Sequence, residues 1–362
     1  MKNLIFFCPF IFDGGLEKTL KVYSDYLSKY HKVFIVTNCK NNSNLKLTKN
    51  IKTINPKNKF FFKFRYLNNL FCIYLIIKYF KSNSIIFSMQ DHLFLLFLKI
   101  IYPKKYKIIL RTANAIINHK NIYERKNLKK FELIKKISLI IYKLADIIIT
   151  FSKDNKDYLR KFLKKENVHV VYNNFEIKKK ILRKPSKKKF NVFFIGRLVD
   201  DKNPLFFIEN LNDLNKQISV KAFVVGKGKF SEKIQNIYDL NQNLGKFYGY
   251  KINPFVKYFK KIDIFCITSK YDGTPNVLGE ALSHGIPVLA PKNVGLSNLI
   301  LKNGSYGFLY RPDSNYSFKR KITFITKNYN KSLNKASLGR LSLKRFNKEN
   351  TLKKLNKIIS SL

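Results

Sequence analysis

Short apolar runs recur along this chain, separated by longer mixed segments. Up to residue 178 the runs are LIFFCPFIF, KVFIVTN, SIIFSM, YKIILRT, ADIIITFS and VHVVYN. Apolar runs of roughly four to eight residues with little alternation suit strands buried on both faces. The segments between them are long enough to be helices. The pattern therefore predicts strands and helices in alternation, the signature of a doubly wound parallel sheet. EIKKKILRKPSKKKF, Glu176 to Phe190, interrupts it with a polar, very basic stretch that reads as a linker. The alternation then restarts with NVFFIGRLV, SVKAFVVGKG, KFYGY, IDIFCITS and IPVLA. Two α/β domains are expected, residues 1–183 and 184–340, with a helical tail at 341–362 able to pack back toward the first.

The most informative local pattern is SKYDGTPNVLGEALSHGIPV, Ser269 to Val288. Thr274 suits an N-cap and Pro275 the first helical position. NVLGEALS then runs as a short helix that stops at His284-Gly285, where Gly takes the left-handed position. With apolar runs on both sides this is a βαβ unit, and the amides around Asn276 and Val277 make an anion site. Two acids, Asp272 and Glu280, flank that turn.

Ligands of such sheets bind beyond the carboxyl ends of the strands, so polar residues just after apolar runs are candidates. Arg197 and Lys202 in IGRLVDDKN fit a diphosphate, Arg by paired hydrogen bonds and Lys as a point charge. Gly226 and Gly228 in VVGKGKF allow close backbone approach to a ligand, or simply turn a strand into a helix. Gly14 and Gly15 in FDGGLEKTL follow the first run. They form neither a GxGxxG fingerprint nor a Walker loop. SMQDHLF and LRTANA also follow apolar runs in the first half.

Composition adds a question of charge. The 362 residues are 45% hydrophobic, enough for one large or two ordinary domains, yet 71 Lys+Arg against 22 Asp+Glu give +49. Residues 1–190 hold 42 basic and 11 acidic residues, so the excess is concentrated in the first half. It is either compositional drift or the mark of an anionic partner: a membrane, a polyphosphate substrate or nucleic acid. A nucleic-acid binder would carry a recognisable module, and none is visible. Lys59–Lys81 and Lys120–Lys143 mix basic residues with Phe, Tyr and Ile. Each reads as an interfacial amphipathic helix or as a core helix with a basic outer side. The four cysteines are scattered without CxxC spacing, as in a reduced cytoplasmic protein. MKNLIFFCPFIF lacks a cleavage site, and SIIFSMQDHLFLLFLKIIY is too interrupted to span a bilayer. No His/Cys/Asp cluster has metal-ligand spacing, and no GxSxG or Cys/His nucleophile arrangement appears.

Gly-Gly-x-Glu after the first run, Gly-Arg-Leu-x-x-x-Lys-Asn opening the second half, Val-Gly-x-Gly and YDGTPNVLGEALSHGIPV occur in a definite order. Together with LADIIITFSKDNKDYL and VVYNNFEI they resemble the retaining GT-B glycosyltransferases of family 4. The resemblance implies two Rossmann-like doubly wound domains facing a central cleft. It implies hexosyl transfer with retention, without metal or cofactor, from a nucleotide-diphosphate sugar. The acceptor would be a glycan or lipid-linked glycan of surface polysaccharide, lipopolysaccharide or glycoconjugate synthesis.

Carried to this chain, Glu280 binds the ribose hydroxyls and Asp272 the sugar hydroxyls. Asp272 departs from the Glu more frequent in the family, which bears on sugar identity. Gly273, Thr274, Pro275, Asn276 and Val277 face the sugar and phosphate, and Arg197 and Lys202 hold the diphosphate and stabilise its departure. Gly14, Gly15 and Gly226 let backbone approach the donor. The family's histidine near the acceptor nominates His92, although a lone His serves structure as readily. Enzymes of lipid-linked glycans favour the membrane among the anionic partners, so the expected place is the cytoplasm, peripheral on the membrane's cytoplasmic face. The alternative is a nucleic-acid-binding protein that uses its basic surface.

Overall fold

The apolar runs become strands because each can bury alternate side chains in two different cores. In the first strand, β1 (Asn3–Phe7), Leu4 and Phe6 enter one core while Ile5 and Phe7 enter the other. A computed structural model describes residues 2–11, 15–39, 47–80, 83–112, 136–178 and 188–362. They divide into two units: Asn174–Lys348 forms one, and the chain up to Asn173 together with Glu349–Leu362 forms the other.

The first unit's sheet holds β1, β2 (Lys32–Val36), β3 (Lys52–Ile54), β4 (Ser84–Ser88), β5 (Tyr106–Arg111), β6 (Ile147–Thr150) and β7 (Val168–Val170). Their order is β3-β2-β1-β4-β5-β6-β7, all parallel. The run rejected as a membrane span splits into β4 and the helix His92–Ile101. No helix among the described residues is long and apolar enough to cross a membrane. The helix Lys348–Ser360 places Leu352, Leu355, Ile358 and Ile359 against Leu4, Phe6 and Leu20, so the last helix completes this unit's core. Each such buried side chain contributes about 1.5–3 kcal/mol relative to exposure.

The second unit holds β8 (Phe190–Ile195), β9 (Val220–Val225), β10 (Gly245–Phe247), β11 (Ile264–Cys266), β12 (Val288–Pro291) and β13 (Phe308–Tyr310). Their order, β10-β9-β8-β11-β12-β13, is again fully parallel. Both sheets are Rossmann-like. Each reverses its winding once, between β1 and β4 and between β8 and β11. The expected linker lies partly outside the described residues, but its first part is held to the second unit, where Arg340 Nε donates to Lys178 O at 2.9 Å. The four cysteines are buried and free.

Gly226 and Gly228 have a use other than approach to a ligand. A Cβ on Gly226 would lie 1.9 Å from Gly196 O, and one on Gly228 would lie 2.4 Å from Leu198 O. The loop after β9 is thus pressed backbone to backbone on the loop after β8. Gly196 N donates to Val225 O and Leu198 N to Lys227 O, both at 3.0 Å. Gly228→Ala should therefore lower stability by about 2 kcal/mol or more, since backbone rather than a flexible side chain must move. Denaturant titration checks this; an unchanged midpoint would mean the two loops part at little cost.

Candidate functional site

In open parallel sheets the ligand crevice lies where the winding reverses, beyond the carboxyl ends of the two central strands. In the second unit those strands are β8 and β11, and the loops that follow them are stitched together. The buried hydroxyl of Thr268 has its one proton shared between Lys202 O at 3.0 Å and Asn203 O at 2.9 Å. Lys270 N donates to Asp201 O at 2.9 Å. Lys202 Nζ then reaches Asp272 Oδ2 at 2.5 Å, with both side chains largely covered. With this little solvent around it the Coulomb attraction is screened less than in a surface pair, while desolvation of the two charges offsets part of the gain.

Arg197 stands just beyond β8 and is exposed, whereas Leu198 next to it is fully buried and anchors the loop. Among the described residues no acid pairs with the Arg197 guanidinium. Lys202 has its counter-charge in Asp272, and Arg197 has none among the described residues.

The helix expected after the Gly273-Thr274 turn runs Asn276–Ser283. Its start differs from the expected one by one residue. Pro275, not Thr274, is the N-cap, because its ψ of 83° lies outside the helical range and the first turn can close only after it. Leu278 N donates to Pro275 O at 2.9 Å, and the N-cap gives no side-chain hydrogen bond. The end is as expected, with Gly285 at φ +66°. Gly295, at φ +54°, brings a following loop onto the turn so closely that a Cβ there would lie 2.4 Å from Gly273 O.

Leu278, Ala281 and Leu282 are buried, which turns Asn276, Val277 and Glu280 toward the partly open side. Four residues of helix place Glu280 about 6 Å along the axis from Asn276. The helix is seated by Gly279, whose missing side chain is replaced by the ring of Phe175, itself edge-on to Phe346 at 5.6 Å. One locus thus collects Lys202, Asp272, Gly273, Thr274, Pro275, Asn276, Val277 and Glu280, with Arg197 on the adjoining loop. Gly226 stands behind that loop. Thr268 and Phe175 were missed by reading the sequence; the one signal was a threonine closing the apolar run IDIFCITS.

The first-half candidates belong to the other unit. Gly14 lies outside the described residues, and Gly15 opens the helix Gly15–Leu27 after β1. His92 opens the helix after β4, one residue past Asp91, which is in the left-handed region at φ 53° and bonded to Arg65. The Nδ1 of His92 lies 2.8 Å from Ser88 Oγ, and its ring meets Tyr142 edge-on. Burial of the imidazole holds its pKa down at about 4, partly offset by Asp91 and a hydrogen bond to the Arg111 backbone. His92 is therefore neutral near pH 7, suited to hydrogen bonding rather than to trading protons. Among the described residues no three His, Cys, Asp or Glu side chains gather as a metal site.

The segment that builds the locus has known relatives. Residues 174–338 match the family model of glycosyl transferases group 1. The group 1 segment therefore covers the turn, both stitched loops and the helix Asn276–Ser283. An uncharacterized glycosyltransferase of Methanocaldococcus jannaschii is 28% identical over 290 residues, 71% of this chain and 70% of its own. A Campylobacter jejuni enzyme is 24% identical over 339 residues, 91% of this chain and 90% of its own. Its name makes it an α-1,4-N-acetyl-D-galactosaminyltransferase acting on a PP-undecaprenol-linked saccharide. Among solved structures, Anabaena HepE in complex with UDP-glucose superposes with a TM-score of 0.77 at 16% identity, covering 100% of both chains. The fold is GT-B. The nucleic-acid alternative draws no support from these relatives.

Thr268→Val should lower stability by roughly 1–3 kcal/mol, because the two carbonyls lose the proton they share, and should weaken binding of any anion that Lys202 holds. Calorimetry and binding measured together would refute the stitch if both stayed unchanged. For His92 the pKa is lower folded than unfolded (about 6.5). Its contribution is therefore complete above about pH 6.5 and is lost as pH falls toward 4, by up to about 3 kcal/mol. His92→Gln should flatten the fall in stability over that window.

Proposed function

We propose that this chain transfers a hexosyl residue, with retention, from a nucleoside-diphosphate sugar to a glycan or lipid-linked glycan acceptor at the cytoplasmic face of a membrane. The observation that carries the reading is the pairing of Lys202 with Asp272 across the winding reversal, beside a helix start whose Pro275 cap supplies no side-chain hydrogen bond, within the group 1 segment. Arg197, Lys202 and the amides of Asn276 and Val277 would neutralise the diphosphate. Glu280, one turn along the helix, would take the ribose hydroxyls. Asp272 would turn to the sugar hydroxyls, with Gly273, Thr274 and Pro275 shaping the wall. The names of the relatives support an acceptor of the lipid-linked or surface-glycan class.

In the transfer, the bond from the anomeric carbon to the diphosphate oxygen breaks with its electron pair on the diphosphate. An acceptor hydroxyl forms the new bond on the same face, and its proton goes to the departing phosphate. The cationic groups act on charge that grows as this bond breaks, so they lower the barrier more than they tighten binding. Retention and independence from metal rest on the resemblance to family 4, and neutral His92 would orient sugar or acceptor hydroxyls.

A panel of nucleotide sugars screened by thermal shift would find the donor, since a bound ligand raises the melting point by mass action. With that donor, Glu280→Gln should weaken binding about ten- to hundredfold, the value of one charge-assisted hydrogen bond. Arg197→Ala should lower kcat more than it raises KM. If no nucleotide sugar shifts the melting point, or if Glu280→Gln binds as wild type does, the assignment falls.

A further inference from the structure

Three neighbouring helical segments of the first unit cover one face of its sheet. The helix Arg65–Tyr79 contributes Cys72, Ile73 and Ile76 to that core, the helix His92–Ile101 contributes Leu95, Leu96 and Leu98, and helical residues 136–142 contribute Leu139. Helices that turn their inner sides to one sheet face turn their outer sides in one common direction. For a surface helix in water that outer side is polar. Here it is not.

On the first helix the outer stripe is Tyr66, Leu70 and Tyr74, spaced by four residues and more than half exposed, at 68%, 52% and 53%. The inner side meanwhile holds Asn68 and Asn69, both fully buried. On the second helix Phe97, Ile100 and Ile101 are exposed at 50–65%, again at helical spacing. Ile137 and Ile140 extend the same surface on the third. Tyr66 and Phe94 join the first two helices through rings 5.5 Å apart. The preceding short helix, Lys59–Lys63, adds Phe60 at 62% exposure.

The charge on this surface has one sign. Residues 59–79 contain Lys59, Lys63, Arg65 and Lys78 and no acid. Lys104 and Lys105 follow the second helix, and Lys136 and Lys143 bracket the third, also without an acid. Asp91 lies between the first two helices and is already bonded to Arg65. An apolar face this broad marks a contact surface. A second copy of the same chain would set one basic rim against another, which is repulsive. An anionic bilayer answers both features, with phosphates for the lysines and the acyl boundary for the aromatic and aliphatic groups.

We propose that this face docks on the surface of a bilayer rich in anionic headgroups, with Tyr66, Leu70, Tyr74, Phe97, Ile100 and Ile101 entering the boundary between headgroups and acyl chains. The surface belongs wholly to the first unit, and the inference deepens the membrane location in the proposed function while standing apart from its sugar-transfer chemistry. Of the two segments singled out in the sequence, most of Lys120–Lys143 lies outside the described residues. The structure adds the helix His92–Ile101, which the sequence reading had only excluded as a membrane span.

The test is flotation of the full chain with phosphatidylcholine vesicles, with and without phosphatidylglycerol. Wild type should float with the anionic vesicles and far less with the neutral ones. The double variant Leu70→Gln, Ile100→Gln should lose binding at least tenfold while keeping the wild-type melting point, since both positions already face outward. Lys63→Gln and Lys78→Gln should each lower partitioning about fivefold at low salt. The proposal is overturned if wild type and the apolar double variant float equally. It is also overturned if wild type ignores the anionic vesicles or floats equally with neutral ones; a dimer in sedimentation equilibrium that the double variant abolishes would assign the face to a second copy instead. Thermal shift with nucleotide sugars on the same variants keeps the two readings apart, because donor binding should be unaffected by any of them.

Discussion

Lys202 and Asp272 are seventy residues apart, and their contact fixes the geometry of everything around the second unit's winding reversal. A lysine alone on a loop after a strand would roam through many rotamers, and ordering it would cost up to about 2 kcal/mol. Here that ordering is already done. Thr268 holds the backbone of Lys202 and Asn203 from below, while Asp272 holds the ammonium group from the side. A phosphate bound there as proposed would meet a cation already in place and need not order it. The same contact gives Asp272 two partners to divide itself between, Lys202 and any ligand hydroxyl. Its carboxylate has two oxygens, and only Oδ2 is engaged by Lys202.

The remaining constraints explain why glycine recurs near this locus. Gly226 and Gly228 let the loop after β9 sit on the loop after β8, and Gly295 lets a third loop sit on Gly273. At each of these positions a Cβ would strike backbone oxygen, which cannot swing aside as a side chain can. The glycines that resemble ligand-approach motifs in the sequence are thus also the joints that keep three loops at fixed distances. Rigid loops at a strand's carboxyl end are what a site relying on hydrogen bonds and charge requires, because small displacements forfeit much of their effect.

The buried strands were legible because their signal is local. A run such as Ile147-Ile148-Ile149 or Val192-Phe193-Phe194-Ile195 has no polar residue to place on a solvent face, so it reads as central in a sheet. β3 and β13 escaped because they are three residues long: Lys52-Thr53-Ile54 is largely polar, and Phe308-Leu309-Tyr310 is too brief to stand out. The start of the helix after Asp272 was misplaced by one residue because the backbone angle of Pro275 depends on loop packing that propensity does not contain. Asp272 and Glu280 were legible as site candidates because acids are rare in this chain. The bond between Asp272 and Lys202 was not, since nothing local links positions 202 and 272. Nor did the sequence reveal that the imidazole of His92 is enclosed and neutral, which follows from how β4, β5 and Tyr142 close around it.

Scarcity of acids also bears on the meaning of the basic excess. Among the described residues, several of the acids that exist have structural work: Asp91 with Arg65, Asp146 with Lys99, Asp272 with Lys202. With 71 basic and 22 acidic residues most cations must go unpaired, so unpaired lysine by itself says little. Drift toward lysine would place it wherever the surface is polar, among asparagines and serines. It would not also put tyrosine, leucine and isoleucine on the outer sides of three adjacent helices, nor bury Asn68 and Asn69 while Leu67 and Leu70 face out. Those positions expose apolar area at a standing cost in water of about 25 cal/mol per Å². The proposed contact with a bilayer would remove that cost. Charge alone is ambiguous in this chain, and it is the apolar groups beside it that favour a bilayer over the other anionic partners.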